Sequence, residues 1–256
     1  MSGATPWLIP TVPRSARAVR LFCFPYAGGG ASMYRAWIRE LPSLEVFPVQ
    51  LPGHESRAHE PLLIDLRTIA RYAADALQPW MKRPYALFGH SMGALIAFEV
   101  ARVMRARAAR PPLALIVSGH IAPDVPLRRE RISQLDDDAF LRELSKLRGL
   151  PAELLADRDL LDFFLPRLRA DFTACDRYTY VDEPPLDVLI LALSGSEDEH
   201  EPPPDVEAWR RHTTAEFQYR CIPGNHFFID RQRVRVLDEV RQAIALAQSR
   251  LQPQEA

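Results

Sequence analysis

Residues 89–93, Gly-His-Ser-Met-Gly, constrain the folding of this chain more than any other segment. An apolar run at 85–88 precedes them, and a run with helical spacing at 94–100 follows. A G-x-S-x-G sequence between a strand and a helix is typical of a sharp turn that holds its serine in a strained conformation above a sheet. Side chains at the two glycines would collide with the neighbouring strand and helix. The segment therefore predicts that Ser91 is a nucleophile.

Apolar runs typical of strands alternate with segments of helical spacing along most of the chain. The predicted strands are 19–24, 46–51, 85–88, 113–117, 188–193 and 217–222. The predicted helices are 33–41, 66–80, 94–105, 206–212 and 234–251. This alternation predicts an α/β fold with a mostly parallel central sheet and helices on both faces. A length of 256 residues suits one domain over 1–256.

The segment 125–180 breaks the alternation, because it contains helical patterns at 136–147 and 159–178 but no convincing strand. Asp136 is a candidate N-cap for the first of these helices. A helical insert between two sheet strands is what a lid looks like in a sequence. Extra helices packed on the sheet would give the same pattern, and both interpretations stay open here.

A nucleophilic serine needs a base, and a histidine serves best when a carboxylate fixes its tautomer. In folds with this serine turn, the acid and then the histidine follow the serine along the chain. That order disfavours three histidines: His54, His59 and His90. His226 fits it, because it follows the strand predicted at 217–222 and precedes the last helix. His120 is placed to line the site, whereas His200 and His212 are expected to be solvent-exposed. We predict His226 as the general base.

The predicted acid is Asp198. The strand at 188–193 runs into Ser-Gly-Ser-Glu-Asp, which places this carboxylate at the sheet edge where the histidine loop arrives. Glu197 and Glu199 are close competitors. The preceding strand is followed by Ser-Gly-His and offers no carboxylate before Asp124, which strengthens the case for Asp198.

An oxyanion hole needs two backbone N–H groups aimed at developing negative charge. One should belong to Met92, the residue after the nucleophile. The other should come from the loop at 25–30 after the first strand, and we predict Ala27 as its donor. The glycines at 28–30 do not form a phosphate loop, since no G-K-[ST] follows and Met33 stands where G-x-G-x-x-G needs glycine. A plain glycine turn remains an alternative.

Composition narrows the classes of partner and compartment. The net charge of -1 gives no reason to expect nucleic acid as a partner. No signal peptide and no membrane-spanning run are recognisable, and residues 1–17 are expected to form a mobile lead-in. Three separated cysteines predict neither a zinc site nor disulfides, and buried thiols in a reducing, cytoplasmic environment are expected.

Four blocks resemble the type II thioesterases that accompany polyketide synthases and non-ribosomal peptide synthetases. They are Phe-Pro-Tyr-Ala-Gly-Gly at 24–29, Gln-Leu-Pro-Gly-His-Glu-Ser-Arg at 50–57, the serine turn at 89–93 and Pro-Gly-Asn-His-Phe-Phe at 223–228. Two departures, Tyr26 and Asn225, do not touch the triad.

The resemblance implies an α/β-hydrolase fold with a helical lid at about 125–180. It implies hydrolysis of acyl thioesters on the phosphopantetheine arm of acyl or peptidyl carrier proteins, with Ser91, His226 and Asp198 as the triad. It implies no cofactor or metal beyond the phosphopantetheine that the substrate carries. A monomer is expected.

Two other functions are weighed against this one: a lipase-like hydrolase of small oxygen esters, and a non-catalytic protein of the same fold that binds acyl groups. The arginine of the 50–57 block, Arg57, is expected to clamp a neighbouring loop. Arginines at 128, 129 and 131 either form a solvated face or meet an acidic carrier protein. The arginines at 102, 105, 107 and 110 are read in the same two ways.

Overall fold

The apolar runs of the sequence form one six-stranded parallel sheet. In this computed structural model, residues 5–9, 15, 18–127, 130–146 and 157–250 are described. The strands, in chain order, are β1 (Val19–Phe24), β2 (Leu44–Pro48), β3 (Tyr85–His90), β4 (Ala114–Ser118), β5 (Leu189–Gly195) and β6 (Phe217–Ile222). Their order across the sheet is β2-β1-β3-β4-β5-β6, and every neighbouring pair is parallel. The predicted fold class is confirmed, and five of the predicted strands agree to within two residues at each end, whereas β2 begins and ends earlier than the predicted 46–51.

Helices cover both faces of this sheet. They are α1 (Trp37–Glu40), α2 (Leu66–Leu77), α3 (Met92–Ala106), α4 (Asp137–Lys146), α5 (Arg158–Arg177), α6 (Pro203–Glu207), α7 (Phe228–Arg231) and α8 (Arg233–Ser249). Within the described ranges, four short 3₁₀ helices lie at Ala31–Tyr34, Glu55–Arg57, Gln78–Trp80 and Ala208–His212. The predicted helix at 33–41 is interrupted, since a 3₁₀ turn and α1 share its span. None of the described helices is both long and apolar enough to cross a membrane.

Alternate residues of the buried strands serve two separate cores. Along β1, Phe22 and Phe24 pack into the core under α2 and α3. Leu21 and Cys23 point the other way, into the core under α1 and α8. This alternation arises because successive side chains of a strand point to opposite faces of the sheet. Since the side chains on both faces are apolar, both faces must be covered by helices.

The strand order places the candidate site. The chain moves from β1 outward to β2 and then returns to the other side of β1 for β3, so the order reverses between β1 and β3. Ligands of open parallel sheets bind beyond the carboxyl ends of the strands at such a reversal. Phe24, the last residue of β1, pairs with Gly89 beside the serine turn. The loop at 25–30 therefore starts next to Ser91.

The insert is helical, with α4 and α5 in its described parts, 125–127, 130–146 and 157–180, and no strand within them. The Asp136 side chain accepts a hydrogen bond from the Ala139 N–H at 2.8 Å, which confirms the predicted cap. Phe140, Leu144 and Leu168 join the two helices in a small core of their own. Residue 147, at the predicted end of the first helix, lies outside the described residues.

The N-terminal segment is less detached than predicted. Trp7 is buried against the main core, and its carbonyl accepts a hydrogen bond from the Gln50 N–H at 2.8 Å. Leu8 forms a bridge to Val49 next to β2. The expectation of a mobile lead-in is therefore wrong for these residues, because two large apolar side chains find cover beside the sheet edge.

Candidate active site

Ser91 sits on the turn between β3 and α3 with a strained backbone. Its φ of 53° and ψ of -121° lie where a residue with a side chain is rarely found. The Ser91 N–H donates to the Ser118 carbonyl at 2.8 Å, and its own carbonyl accepts from the Ala94 N–H at 2.9 Å. These bonds hold the serine at the carboxyl end of the sheet, as the sequence predicts.

The two glycines of the turn are required by close backbone contacts. A Cβ on Gly89 would overlap the Gly93 carbonyl, and a Cβ on Gly93 would overlap the Phe24 carbonyl. Strand β3, the start of α3 and the end of β1 thus approach one another at a spacing that no side chain can enter. This packing fixes the height of Ser91 above the sheet.

Asp198 and His226 form a hydrogen-bonded pair beyond the ends of β5 and β6. The His226 Nδ1 lies 2.7 Å from Asp198 Oδ2. The other carboxylate oxygen of Asp198 accepts from the backbone N–H groups of His200, at 3.2 Å, and Glu201, at 3.1 Å. Asp198 is buried, whereas the competitors Glu197 and Glu199 are exposed. The structure thus places Asp198, rather than its neighbours, against the imidazole.

The surroundings keep Asp198 ionised and the nearest second imidazole neutral. Burial acts to raise the pKa of Asp198, but the hydrogen bond and charge of His226 and the two backbone N–H groups outweigh it, so the pKa is lowered. His90 packs against His226 with ring centroids 5.2 Å apart. Burial holds the pKa of His90 well below its ordinary value. No competing positive charge therefore arises from His90 beside the candidate base.

Ala27 lies in a tight turn over the serine. The Gly29 N–H donates to the Tyr26 carbonyl at 2.9 Å, and Gly28 has a φ of +76°. A hydrogen bond between the first residue's carbonyl and the fourth residue's N–H, together with a positive φ at the third residue, is the pattern of a type II turn. Met92 begins α3, where the first N–H groups have no partner within the helix. The Met92 N–H is therefore one of the groups that a helix start leaves for an anion, and Ala27 lines the same cavity as Ser91 and Met92.

One cavity collects these groups. Its volume is about 70 Å³. The lining residues are Tyr26, Ala27, Ser91, Met92, His120, Phe172, Cys175, His200, Glu201, His226 and Phe227. A nucleophile, an imidazole paired with a buried carboxylate and two candidate oxyanion donors thus share one space, which is the set of groups that acyl transfer needs.

Comparison with known proteins identifies the family. The Thioesterase domain family matches residues 19–244. The chain belongs to this family. The matched range contains all six strands and every residue that lines the Ser91 cavity. The resemblance of the four sequence blocks to thioesterases is therefore confirmed.

Individual thioesterase relatives agree in sequence and in fold. Gramicidin S biosynthesis protein GrsT of Aneurinibacillus migulanus is 39% identical over 239 residues, which cover 93% of each chain. The solved structure of RedJ, a thioesterase from the prodiginine biosynthetic pathway of Streptomyces coelicolor, is 42% identical with a TM-score of 0.85 and covers 94% of this chain and 95% of RedJ. YbtT, a type II thioesterase from the yersiniabactin NRPS/PKS biosynthetic pathway, gives a TM-score of 0.86 at 33% identity, over 94% of this chain and 99% of YbtT.

Two larger clefts adjoin the Ser91 cavity of this thioesterase. One, of about 510 Å³, shares His120 and Cys175 with the cavity and continues along Leu95, Val125 and Tyr178. The other, of about 310 Å³, shares His200 and His226 with the cavity. Its remaining lining is polar: Lys146, Glu197, Asp198, Glu199 and Asn225. His120 thus lines the site as predicted, and His200 is half-buried there rather than solvent-exposed.

Arg57 acts as the predicted clamp of the thioesterase's 50–57 loop. Its guanidinium donates to the Gln50 carbonyl at 3.0 Å and to Glu60 through Nε at 2.7 Å. It also lies over the Trp7 ring, 4.7 Å from the centroid. These contacts tie the loop to the N-terminal segment and leave no need for a direct role in the chemistry.

Besides that of His200, three further expectations about exposure are wrong. His212 is buried among the rings of Phe98, Tyr180 and Trp209, and its Nε2 lies 2.8 Å from Asp124 Oδ1. Arg102 is buried between Glu99 and Glu183 and does not belong to a solvated face. Cys221 is exposed on the outermost strand, whereas Cys23 is buried as expected. Two of the insert arginines, 128 and 129, lie outside the described residues.

Sequence reasoning missed two buried acids near the site. Glu201 accepts a hydrogen bond from the Ile121 N–H at 2.6 Å, and so joins the loop after β4 to the loop that carries Asp198. Asp171, on α5, contacts both His54 and the Gly28 backbone. The sequence signals Asp171 only as an acidic residue on a largely apolar helix face, and Glu201 only as one of several acids in the loop at 197–205. Neither signal names a partner.

Proposed function

We propose that this thioesterase hydrolyses acyl thioesters on the phosphopantetheine arm of acyl or peptidyl carrier proteins, and so clears stalled or wrong acyl groups during polyketide or non-ribosomal peptide synthesis. The observation that carries the proposal is the meeting of Ser91, the Asp198–His226 pair and two candidate oxyanion donors at one cavity. RedJ and YbtT are described as thioesterases of biosynthetic pathways, which supports a carrier-bound substrate.

The proposed reaction is acyl transfer in two halves. Ser91 Oγ attacks the thioester carbonyl while His226 takes its proton, and Asp198 stabilises the imidazolium that forms. The N–H groups of Ala27 and Met92 hold the oxyanion. The C–S bond then breaks, His226 returns the proton to the phosphopantetheine sulfur, and an acyl-enzyme remains. Water, deprotonated by His226, attacks that ester and releases the carboxylic acid and free Ser91. Side chains and backbone supply every group, so the reaction needs no cofactor.

The two adjoining clefts offer separate routes for the two parts of the substrate. The cleft of about 510 Å³ is lined mainly by apolar side chains and suits the acyl chain. The polar cleft of about 310 Å³ suits the amide-rich pantetheine arm, which can exchange hydrogen bonds with water for bonds to its walls. In this arrangement helices α4 and α5 act as the lid over Ser91.

Cys175→Trp is expected to shorten the acyl chains that the enzyme accepts, because Cys175 lines both the catalytic cavity and the apolar cleft. Blocking about three methylenes, each worth about 0.8 kcal/mol, should lower kcat/KM for octanoyl relative to acetyl substrate by about 50-fold. The matched control is Cys221→Trp at an exposed position, for which the ratio should stay unchanged. An unchanged ratio in Cys175→Trp would place the acyl chain elsewhere.

The choice between a carrier-dependent thioesterase and an esterase is made by one comparison. The same acyl group is presented on a phosphopantetheinyl carrier protein and as its nitrophenyl ester, and kcat/KM is measured for both. We expect the carrier thioester to be preferred by at least about tenfold, since binding energy from the arm lowers the barrier. Preference for the ester would favour the small-ester hydrolase, and no turnover of either would favour an acyl-binding protein.

A further inference from the structure

A buried carboxylate of α5 holds the turn that carries Ala27. Asp171 Oδ2 accepts a hydrogen bond from the Gly28 N–H at 2.7 Å and lies 3.0 Å from His54 Nε2. Asp171 is 2% exposed and His54 is 4% exposed. Leu168, one helical turn earlier, packs so tightly that a Cβ on Gly28 would overlap it. The turn is therefore completed by side chains of the insert, far from it in sequence.

The contacts of the His54 ring suit its doubly protonated form. Its Nδ1 lies 2.9 Å from the Pro52 carbonyl, and its Nε2 faces the Asp171 carboxylate. Both partners are acceptors, and a neutral imidazole has only one N–H to donate. Burial acts to lower the pKa of His54, as does the charge of Arg167 on α5, but the hydrogen bond and charge of Asp171 and the Pro52 carbonyl outweigh them and raise it.

This arrangement controls which way a peptide of the turn faces. Type I and type II turns differ mainly in the orientation of their central peptide, which here joins Ala27 to Gly28. Asp171 binds the N–H of that peptide and so selects the type II form. A carboxylate so near the turn would by itself oppose an oxyanion beside Ala27, and the positive His54 offsets that charge.

We propose that Asp171 and His54 are positioning residues for the oxyanion hole. The carboxylate of α5 fixes the Ala27–Gly28 peptide and so the type II turn whose first peptide, Tyr26–Ala27, carries the Ala27 N–H, and the imidazolium neutralises the carboxylate. The hole is then formed only when α5 is seated on the 50–57 loop. The inference rests on the proposed function, because it takes Ser91 as the nucleophile and Ala27 as a donor.

The test compares two buried aspartates of the same helix. Asp176 is also 2% exposed and accepts a backbone N–H, that of Ser133 at 3.0 Å, but its loop belongs to the insert. Asp171→Asn should lower kcat about 10- to 100-fold with a smaller change in KM, since one oxyanion donor is worth about 10²- to 10³-fold. It should weaken an alkyl boronic acid, which forms a tetrahedral adduct on serine, by a similar factor. Asp176→Asn should change both less than about threefold.

A second readout follows the charge of His54. Because its pKa is raised, the stability that the ion pair contributes is present below pH 6.5 and is lost as the pH rises through the folded-state pKa. The Tm difference between the parent and Asp171→Asn should therefore shrink with rising pH. A structural role without an ion pair would leave that difference constant.

The outcomes separate this inference from the proposed function. If the parent neither turns over the thioester nor binds the boronic acid, both fail. If the parent does both and Asp171→Asn matches Asp176→Asn in kcat and boronic acid affinity, the positioning role alone is overturned. Should Asp171→Asn not fold, His54→Gln replaces it: the uncompensated carboxylate should lower kcat about tenfold, and parent-like kcat would overturn the proposal.

Discussion

Ser91→Ala is expected to lower kcat for carrier-bound thioesters by at least about 10⁴-fold, because it removes the hydroxyl that attacks the thioester and triad members act as a unit. The fold should persist, since the turn is held by backbone bonds from Ser91 to Ser118 and Ala94 and not by the hydroxyl. The measurement is single-turnover hydrolysis of an acyl carrier protein, with Tm as the check on folding.

The control for this loss is a serine away from the cavity. Ser249→Ala, at the exposed end of α8, should retain the parent rate. Full turnover by Ser91→Ala would remove the nucleophile assignment and with it the two-step mechanism.

Asp198→Asn is expected to lower kcat by about 10⁴-fold. The Asp198 carboxylate lies 2.7 Å from His226 Nδ1 and, in the proposed mechanism, accepts a hydrogen bond from the N–H at that nitrogen. An amide can instead present its NH₂ group, which favours the tautomer with the proton on Nε2 and leaves no lone pair to take the proton of Ser91. The amide oxygen can still accept from the His200 and Glu201 N–H groups, so the loop should keep its shape.

Two neighbouring substitutions make this result specific. Glu197→Gln and Glu199→Gln remove equal charge from exposed positions on the same loop. They should leave kcat within about threefold of the parent, and because both line the polar cleft proposed for the arm, any larger change should fall on KM. A large loss in either one, with parent-like activity in Asp198→Asn, would move the acid to that glutamate.

The serine turn and the positions of the strands along the chain could be predicted because both depend on neighbours in sequence. Gly89 and Gly93 bracket Ser91 within five residues, and apolar runs that fill both faces of a sheet are visible by themselves. The order acid then histidine after the serine supplied Asp198 and His226, because each follows a recognisable strand. The structure brings these residues together at the carboxyl edge, which is where parallel strands deliver the loops that follow them.

Contacts between distant segments could not be predicted in this way. His54 and Asp171 are 117 residues apart, and nothing in either local pattern names the other. Arg102 carries a charge that favours solvent, yet Glu183 and Glu99 satisfy it in a buried position. His212 is similar, since Asp124 lies 88 residues before it. Burial of a polar residue depends on a partner that only the folded chain supplies.

The central claim is that Ser91 removes acyl groups from a carrier protein by hydrolysis, and the intact mass of the carrier tests it most directly. An acylated phosphopantetheinyl carrier protein is incubated with the parent thioesterase or with Ser91→Ala. We predict that the parent shifts the carrier to the mass of the free-thiol form and releases the carboxylic acid, while Ser91→Ala leaves the acyl mass in place. A carrier that keeps its acyl group with active parent enzyme, shown by turnover of a nitrophenyl ester, would contradict the account.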